Sequence, residues 1–160
     1  MLIACAGDAH RSERDMEAML RALPAVDALC FLGDVDADAQ YLRRGLRTRQ
    51  PNAAFYAVSG NCDLFPKLPA SLTIRVPTTR AFVTHGHLFR VKQGLTLLAE
   101  SAREMDCRLV LFGHTHIVCD RWVSGARLVN PGALRDGRYA LIRCEAGTAL
   151  EMEVMLRNTG

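Results

Sequence analysis

Seven side chains of metal-binding type each stand just after a short apolar run in this 160-residue sequence. Asp8 and His10 follow residues 2–6, Asp34 follows 28–32, Asn61 follows 54–58, His85 follows 80–84, and His114 and His116 follow 109–112. At four of the five positions a glycine immediately precedes the ligand (Gly7, Gly33, Gly60, Gly113). Glycine there lets the backbone turn sharply and come close to a bound group. Each position alone has an ordinary explanation. Gly-Asp after a strand is a common turn, Asn61 suits a left-handed turn position, and a His-x-His pair also turns up on surfaces. Five independent turns would not each deliver a hard or borderline ligand, so the five read as one site. On an extended backbone, His114 and His116 at i and i+2 point to the same side. Neutral imidazole is also the commonest metal ligand.

Seven ligands of mixed oxygen and nitrogen type are too many for one tetrahedral zinc. They suit two divalent ions about 3.5–4 Å apart that share a carboxylate, as in two-metal hydrolases. Asp34, a lone acid in the middle of the set, is the natural bridge. With no thiolate among the ligands, manganese is the expected metal, and iron, nickel and zinc are the alternatives.

Such a site must be held by the ends of strands. Residues 2–6, 28–32 and 109–112 are unbroken apolar runs and read as buried strands, and 54–58 reads as a further strand. Helical spacing of Met16, Met19, Leu20 and Leu23 predicts a first helix, with Ser12 as N-cap, Asp15 as its partner and Pro24 as its end. A second helix is predicted over about 38–49, closed by Pro51. A third runs through Leu95, Leu98, Ala99 and Ala102 to about Met105. Alternation of strand and helix in the first part argues a parallel sheet with helical crossovers. Residues 72–76 and 80–84 read as further strands. Beyond His116 the runs 117–122, 127–129, 139–144 and 150–156 are separated by turn residues and predict an antiparallel meander without helices. Open α/β sheets bind their ligands at the carboxyl ends of strands, where all seven residues lie. The expected architecture is one domain over residues 1–160, with two packed sheets and helices outside.

Composition bounds the rest. About half the residues are apolar and 23% are charged, as in soluble globular chains. The net charge of +3, without a basic block, gives no nucleic-acid signature. There is no basic leader before Gly7-Asp8 and no apolar run of membrane-spanning length, so a cytoplasmic protein is expected. Its six cysteines form no Cys-x-x-Cys pair. Cys5, Cys30 and Cys144 read as small core residues, with all thiols reduced.

The set Asp8-x-His10, Gly33-Asp34, Gly60-Asn61, His85-Gly86-His87 and Gly113-His114-Thr115-His116 resembles the calcineurin-like metallophosphoesterases in order and spacing. Gly60-Asn61-Cys62-Asp63 and Asn130-Pro131-Gly132 are similar to the small prokaryotic phosphodiesterases of that superfamily. The resemblance implies an α/β fold, a four-layer αββα sandwich of two mixed β-sheets flanked by helices. Carried over position by position, it gives one metal to Asp8, His10, Asp34 and His116, and the other to Asp34, Asn61, His85 and His114. Thr115 is then the spacer that lets its neighbours serve two ions. The implied activity is a phosphodiesterase on a small-molecule substrate, in which a hydroxide between the ions attacks phosphorus in line. Neither Ser59 nor Cys62 is needed as nucleophile.

Asn61 and His87 are the candidate catalytic residues. In many relatives a histidine follows the asparagine and protonates the leaving group; here that place is Cys62, a poor acid. His87, two residues after a ligand, is the candidate in its stead, with a supporting or solvent-facing role as the plain alternative. Other departures (Ala133, Val118, Asp136-Gly137-Arg138) concern the rim. Arg135, Arg138 and Lys92 are candidate phosphate contacts or ordinary solvated cations. The competing functions are a phosphomonoesterase on a nucleotide or phosphoprotein, and a binding scaffold like the retromer subunit of this fold. That subunit's ligand set is degraded, whereas this chain keeps all seven. A nuclease is disfavoured without a basic groove or interleaved aromatics. Self-association is left open.

Overall fold

Alternate residues of the first strand face opposite ways. Ile3 and Cys5 enter a core between two sheets, while Ala4 and Ala6 pack toward helices. A strand covered on both faces has no polar side to show, which explains its unbroken apolar sequence. The structure, a computed structural model, describes residues 1–145 and 152–159. In chain order it runs β1 (Leu2–Ala6), α1 (Glu13–Ala22), β2 (Ala28–Phe31), α2 (Asp36–Arg49), β3 (Ala54–Ala57), β4 (Ser71–Val76) and β5 (Thr79–Thr84). Then follow α3 (Thr96–Glu104), β6 (Cys107–Leu111), β7 (Cys119–Val123), β8 (Ala126–Asn130), β9 (Arg138–Cys144) and β10 (Met152–Asn158). One sheet has the order β10-β9-β1-β2-β3, the other β4-β5-β6-β8-β7.

Three apolar layers hold these together. Between the sheets lie Ile3, Cys5, Cys30, Val83, Leu109, Leu111, Val129 and Ile142. On the outer face of the first sheet, Leu29, Phe31 and Leu141 pack with Met16 and Met19 of α1 and Leu42 and Leu46 of α2. On the outer face of the second, Phe82, Val110 and Leu128 meet Leu98, Ala99 and Ala102 of α3. The result is the expected αββα sandwich of two mixed sheets. The helices lie where the sequence predicts them, and α2 starts two residues early, at Asp36. Ser12 stands at the N-cap of α1, but its hydroxyl donates to the Asp15 carboxylate and caps no backbone N–H.

The predicted meander is not one. β7 and β8 form a hairpin in the second sheet, with β8 parallel to β6. β9 crosses to the first sheet, pairs antiparallel with β1, and receives β10 on its other side. A one-turn helix at Leu134–Asp136 interrupts the run. Turn residues mark where a strand ends, not which sheet the next one joins, so two hairpins in different sheets read alike in sequence. The start of the run over 150–156 and the Ala-Gly turn before it lie outside the described residues. Among the described residues, no helix is long and apolar enough to cross a membrane.

Two parallel sets matter most. β1 and β2 run side by side in one sheet, β5 and β6 in the other. Both pairs finish at the same edge of the sandwich, where the His114 backbone N–H donates to the Asp8 carboxylate across the sheets at 3.0 Å.

Candidate metal centre

Five of the seven candidate ligands are aimed by an unusual backbone; Asn61 and His85 are not. Asp8 (φ 54°), His10 (47°), His114 (67°) and His116 (59°) are left-handed, and Asp34 lies at φ 131°. Such conformations cost of order 1–3 kcal/mol each for residues with a Cβ, and they persist where the surroundings over-determine them. The glycines explain how the loops crowd together. A Cβ on Gly60 would lie 2.5 Å from the Asp34 Cα, and one on Gly113 would lie 2.8 Å from Asp34's neighbour in the site, the Oδ2 of Asp8. They therefore serve the approach of one strand end to another. His114 and His116 do not share an extended backbone, contrary to expectation. Their left-handed turns send the rings apart: His114 lies 5.0 Å from the His85 ring, and His116 lies 5.2 Å from that of His10.

Around His10 and His116 the ligand atoms are close. The two Nε2 atoms are 3.3 Å apart, His10 Nε2 is 3.3 Å from Asp34 Oδ2, and His116 Nε2 is 3.2 Å from Asp8 Oδ1. Four ligands held tetrahedrally at about 2.0–2.1 Å from one ion would be about 3.3–3.4 Å apart. Asp8 Oδ1 is buried without a hydrogen-bond donor, a cost a cation would relieve.

His85 supplies a second view of the same deficit. Its Nδ1 faces the Leu32 carbonyl at 2.8 Å. A carbonyl only accepts, so Nδ1 carries the proton and Nε2 presents a lone pair. That lone pair faces Asn61 Oδ1 at 3.0 Å, Asp34 Oδ1 at 3.7 Å and Asp8 Oδ1 at 4.0 Å. A lone pair among oxygens is repulsive unless positive charge stands between them. The Leu32 carbonyl is the orienting partner that ligating histidines usually have. The residues present therefore fit divalent cations, with Asp34 reaching both groups.

A model of the calcineurin-like phosphoesterase superfamily domain matches residues 1–147. The chain belongs to that family. It is 30% identical to the probable metallophosphoesterase YsnB of Bacillus subtilis, over 93% of this chain and 88% of the relative. A predicted phosphoesterase from Streptococcus pneumoniae has the same fold, with a TM-score of 0.77, 24% identity, and 99% of this chain and 89% of that chain covered. A mutant Vps29 from Entamoeba histolytica shares it too, with a TM-score of 0.75, 19% identity and 99% of both chains covered. The chain is thus of the metal-dependent phosphoesterase class.

Burial shapes the electrostatics of this phosphoesterase. It pushes Asp8 up to about 7, only partly offset by the His114 N–H. It also holds His85 down to about 4, so that ring is neutral at ordinary pH. Burial, then Lys92 and His87, hold His114 below its ordinary value; burial, then Arg135 and Lys92, do the same for His116. Burial pushes Asp34 upward, but hydrogen bonds from Cys62 and the nearness of His85 and His10 outweigh it and hold that carboxyl below 3.8. The bond to Asp34 keeps the Cys62 thiol protonated, pushed up to about 11.

The remaining candidates fall on both sides. The His87 ring stands 5.3 Å from that of His85 and 6.1 Å from that of His114, with a buried Nδ1 that has no partner. Arg135 reaches His116 Nδ1 at 3.3 Å. Arg138 packs beside Gly132 at the start of β9, with no contact to a candidate ligand among the described residues. Sequence reasoning missed three supports. The Leu32 carbonyl carries no residue-type signal at all. Asn130, read only as part of a motif, is buried and donates to the Gly113 carbonyl at 2.8 Å and to Thr115 Oγ1 at 3.0 Å. Thr115 is thereby an anchor for the loop of His114 and His116 as well as a spacer. Asp63 accepts from the backbone N–H groups of Gly60 and Asp36 at 2.8 Å each, and so fixes the loop of Asn61.

Proposed function

We propose that this protein is a phosphodiesterase dependent on two divalent metals, with manganese the expected pair. Asp8, His10, Asp34 and His116 would hold one ion, and Asp34, Asn61, His85 and His114 the other. The His85 lone pair turned toward three oxygens carries this reading. When bound, the ions supply positive charge against the phosphoryl oxygens and lower the pKa of a water into the neutral range.

The chain's own groups do the rest. Asp34 stays ionised and is shared, which fixes the spacing of the two ligand groups. His85, neutral and held by Leu32, keeps its Nε2 available. Lys92 and Arg135, close enough to depress His114 and His116, attract an anionic ester. Ser59 is buried, with its hydroxyl turned to the Pro69 carbonyl, and Cys62 remains a thiol, so neither is the nucleophile. Asn61 orients the substrate beside His85, and His87 supplies the proton to the leaving oxygen. Since one imidazole is a modest acid source, esters of acidic alcohols turn over best. A diester is preferred in this reading because a cleft of about 610 Å³ opens beside His10 and Cys62, room enough for a second ester arm.

The test is elemental analysis of the purified protein with a panel of mono- and diesters of one aryl alcohol, across Mn, Fe, Ni and Zn. Two equivalents of metal and a diester preference are expected. Asp34→Asn should abolish turnover with the circular dichroism spectrum retained; wild-type rates in that variant would overturn the site. A monoester preference would make the protein a phosphatase. Metal binding without hydrolysis of any ester would favour the scaffold reading.

A further inference from the structure

Among the described residues, seven large apolar side chains are exposed, and four follow candidate ligands within four positions: Leu64 and Phe65 after Asn61, Leu88 after His85, and Ile117 after His116. Leu64 and Phe65 are 86% and 89% exposed and line the cleft that also touches His10 and Cys62. Two adjacent exposed apolar side chains on the wall of a cleft beside candidate ligands mark a binding site. We propose that this cleft binds an aromatic or apolar group on the ester arm that stays on phosphorus, and that Phe65 selects it. The proposal rests on the phosphodiesterase reading above.

Three observations support it. The loop is held in place: Asp63 accepts from Gly60 and Asp36, the Lys67 N–H donates to Asp36 Oδ2 at 2.9 Å, and the Ser59 N–H donates to the Pro69 carbonyl at 2.9 Å. Phe65 is therefore presented on an anchored platform that a ring can stack on. The cleft also carries Arg11 and Lys67, which offset the Asp36 and Asp63 carboxylates that line it, so an anionic diester with an apolar arm meets no net negative wall. Finally, the cleft lies beside His10 and Cys62, whereas His87 stands by His85 and His114. The departing arm goes to the proton donor, and the retained arm has the other side.

The experiment compares 4-nitrophenyl phenyl phosphate with 4-nitrophenyl methyl phosphate, which share a leaving group and differ in the retained arm. Wild type should show a KM about tenfold lower for the phenyl ester, the scale of aromatic stacking, with kcat values within about twofold. Phe65→Ala should bring the KM ratio close to one, and Phe65→Tyr should preserve it. Leu97→Ala, an exposed apolar residue on α3, should leave the ratio as in wild type. Equal KM values in wild type, or an unchanged ratio in Phe65→Ala, would overturn the proposal. Turnover of neither ester would instead remove the phosphodiesterase reading beneath it.

Discussion

Asp8 and His85 respond to pH in opposite directions, although both shifts come from burial. Asp8, at about 7 in the metal-free fold against 3.8 in an exposed carboxyl, keeps a proton that the unfolded chain has already lost. Its contribution to stability is full below about 4 and is lost as pH rises through 7. His85, at about 4 against 6.5, contributes above 6.5, and that contribution is lost as pH falls toward 4. A cation must displace the Asp8 proton but finds His85 already neutral. Metal affinity should therefore weaken by at least about tenfold per pH unit below 7, since the ligating imidazoles must also stay neutral, and change little from 7 to 8. Calorimetric titration with manganese at pH 5.5, 6.5 and 7.5 measures this, and a flat affinity would mean Asp8 is no ligand. At this scale the identities of the candidates were legible, because acids, amides and imidazoles announce themselves at strand ends. Their aim was not. The left-handed turns of His114 and His116, and the Leu32 carbonyl behind His85, depend on backbone that no residue type encodes.

The strands and helices deliver these residues through tight loop contacts, and the glycines are where that tightness is tested. Gly60→Ala would put a methyl against the Asp34 backbone, so the loops after β2 and β3 would have to part. Loss of turnover and a clear fall in melting temperature are expected. Gly94 has nothing within 4 Å of an added Cβ and no left-handed φ, so Gly94→Ala should be neutral or stabilising by up to about 1 kcal/mol. Thermal melts of the two variants decide it; equal effects would mean that the Gly60 contact is slack. Periodicity reveals α1 and α3 because one face of each is buried, Pro51 marks the end of α2, and unbroken apolar runs reveal β1, β2 and β6 because both faces of each are buried. Such signals fail for β7 to β10, since pairing partners leave no trace in local pattern. Asn130 ends β8 and anchors the next ligand loop, but as one buried amide it gave no periodic signal.

Across the whole molecule, three apolar layers hold the sandwich without help from the site, whose buried acids and left-handed turns oppose it. Removal of metal by a chelator should leave the far-ultraviolet circular dichroism unchanged and lower the melting temperature, with readdition restoring it. Collapse to an unfolded spectrum would show that the apolar layers are not sufficient. The position of β1 has a further consequence, one of timing. It lies inside its sheet between β2 and β9, and the Met1 amine donates to the Cys144 carbonyl at 2.9 Å. β9 begins at Arg138, so β1 waits for a neighbour made about 130 residues later, on the order of ten seconds of synthesis. Asp8 and His10 are the first ligands to leave the ribosome and among the last to be fixed. A chain tethered to the ribosome should bind no metal tightly while residues 138–144 are inside the exit tunnel, and a longer tether that carries them clear should bring the capacity in one step.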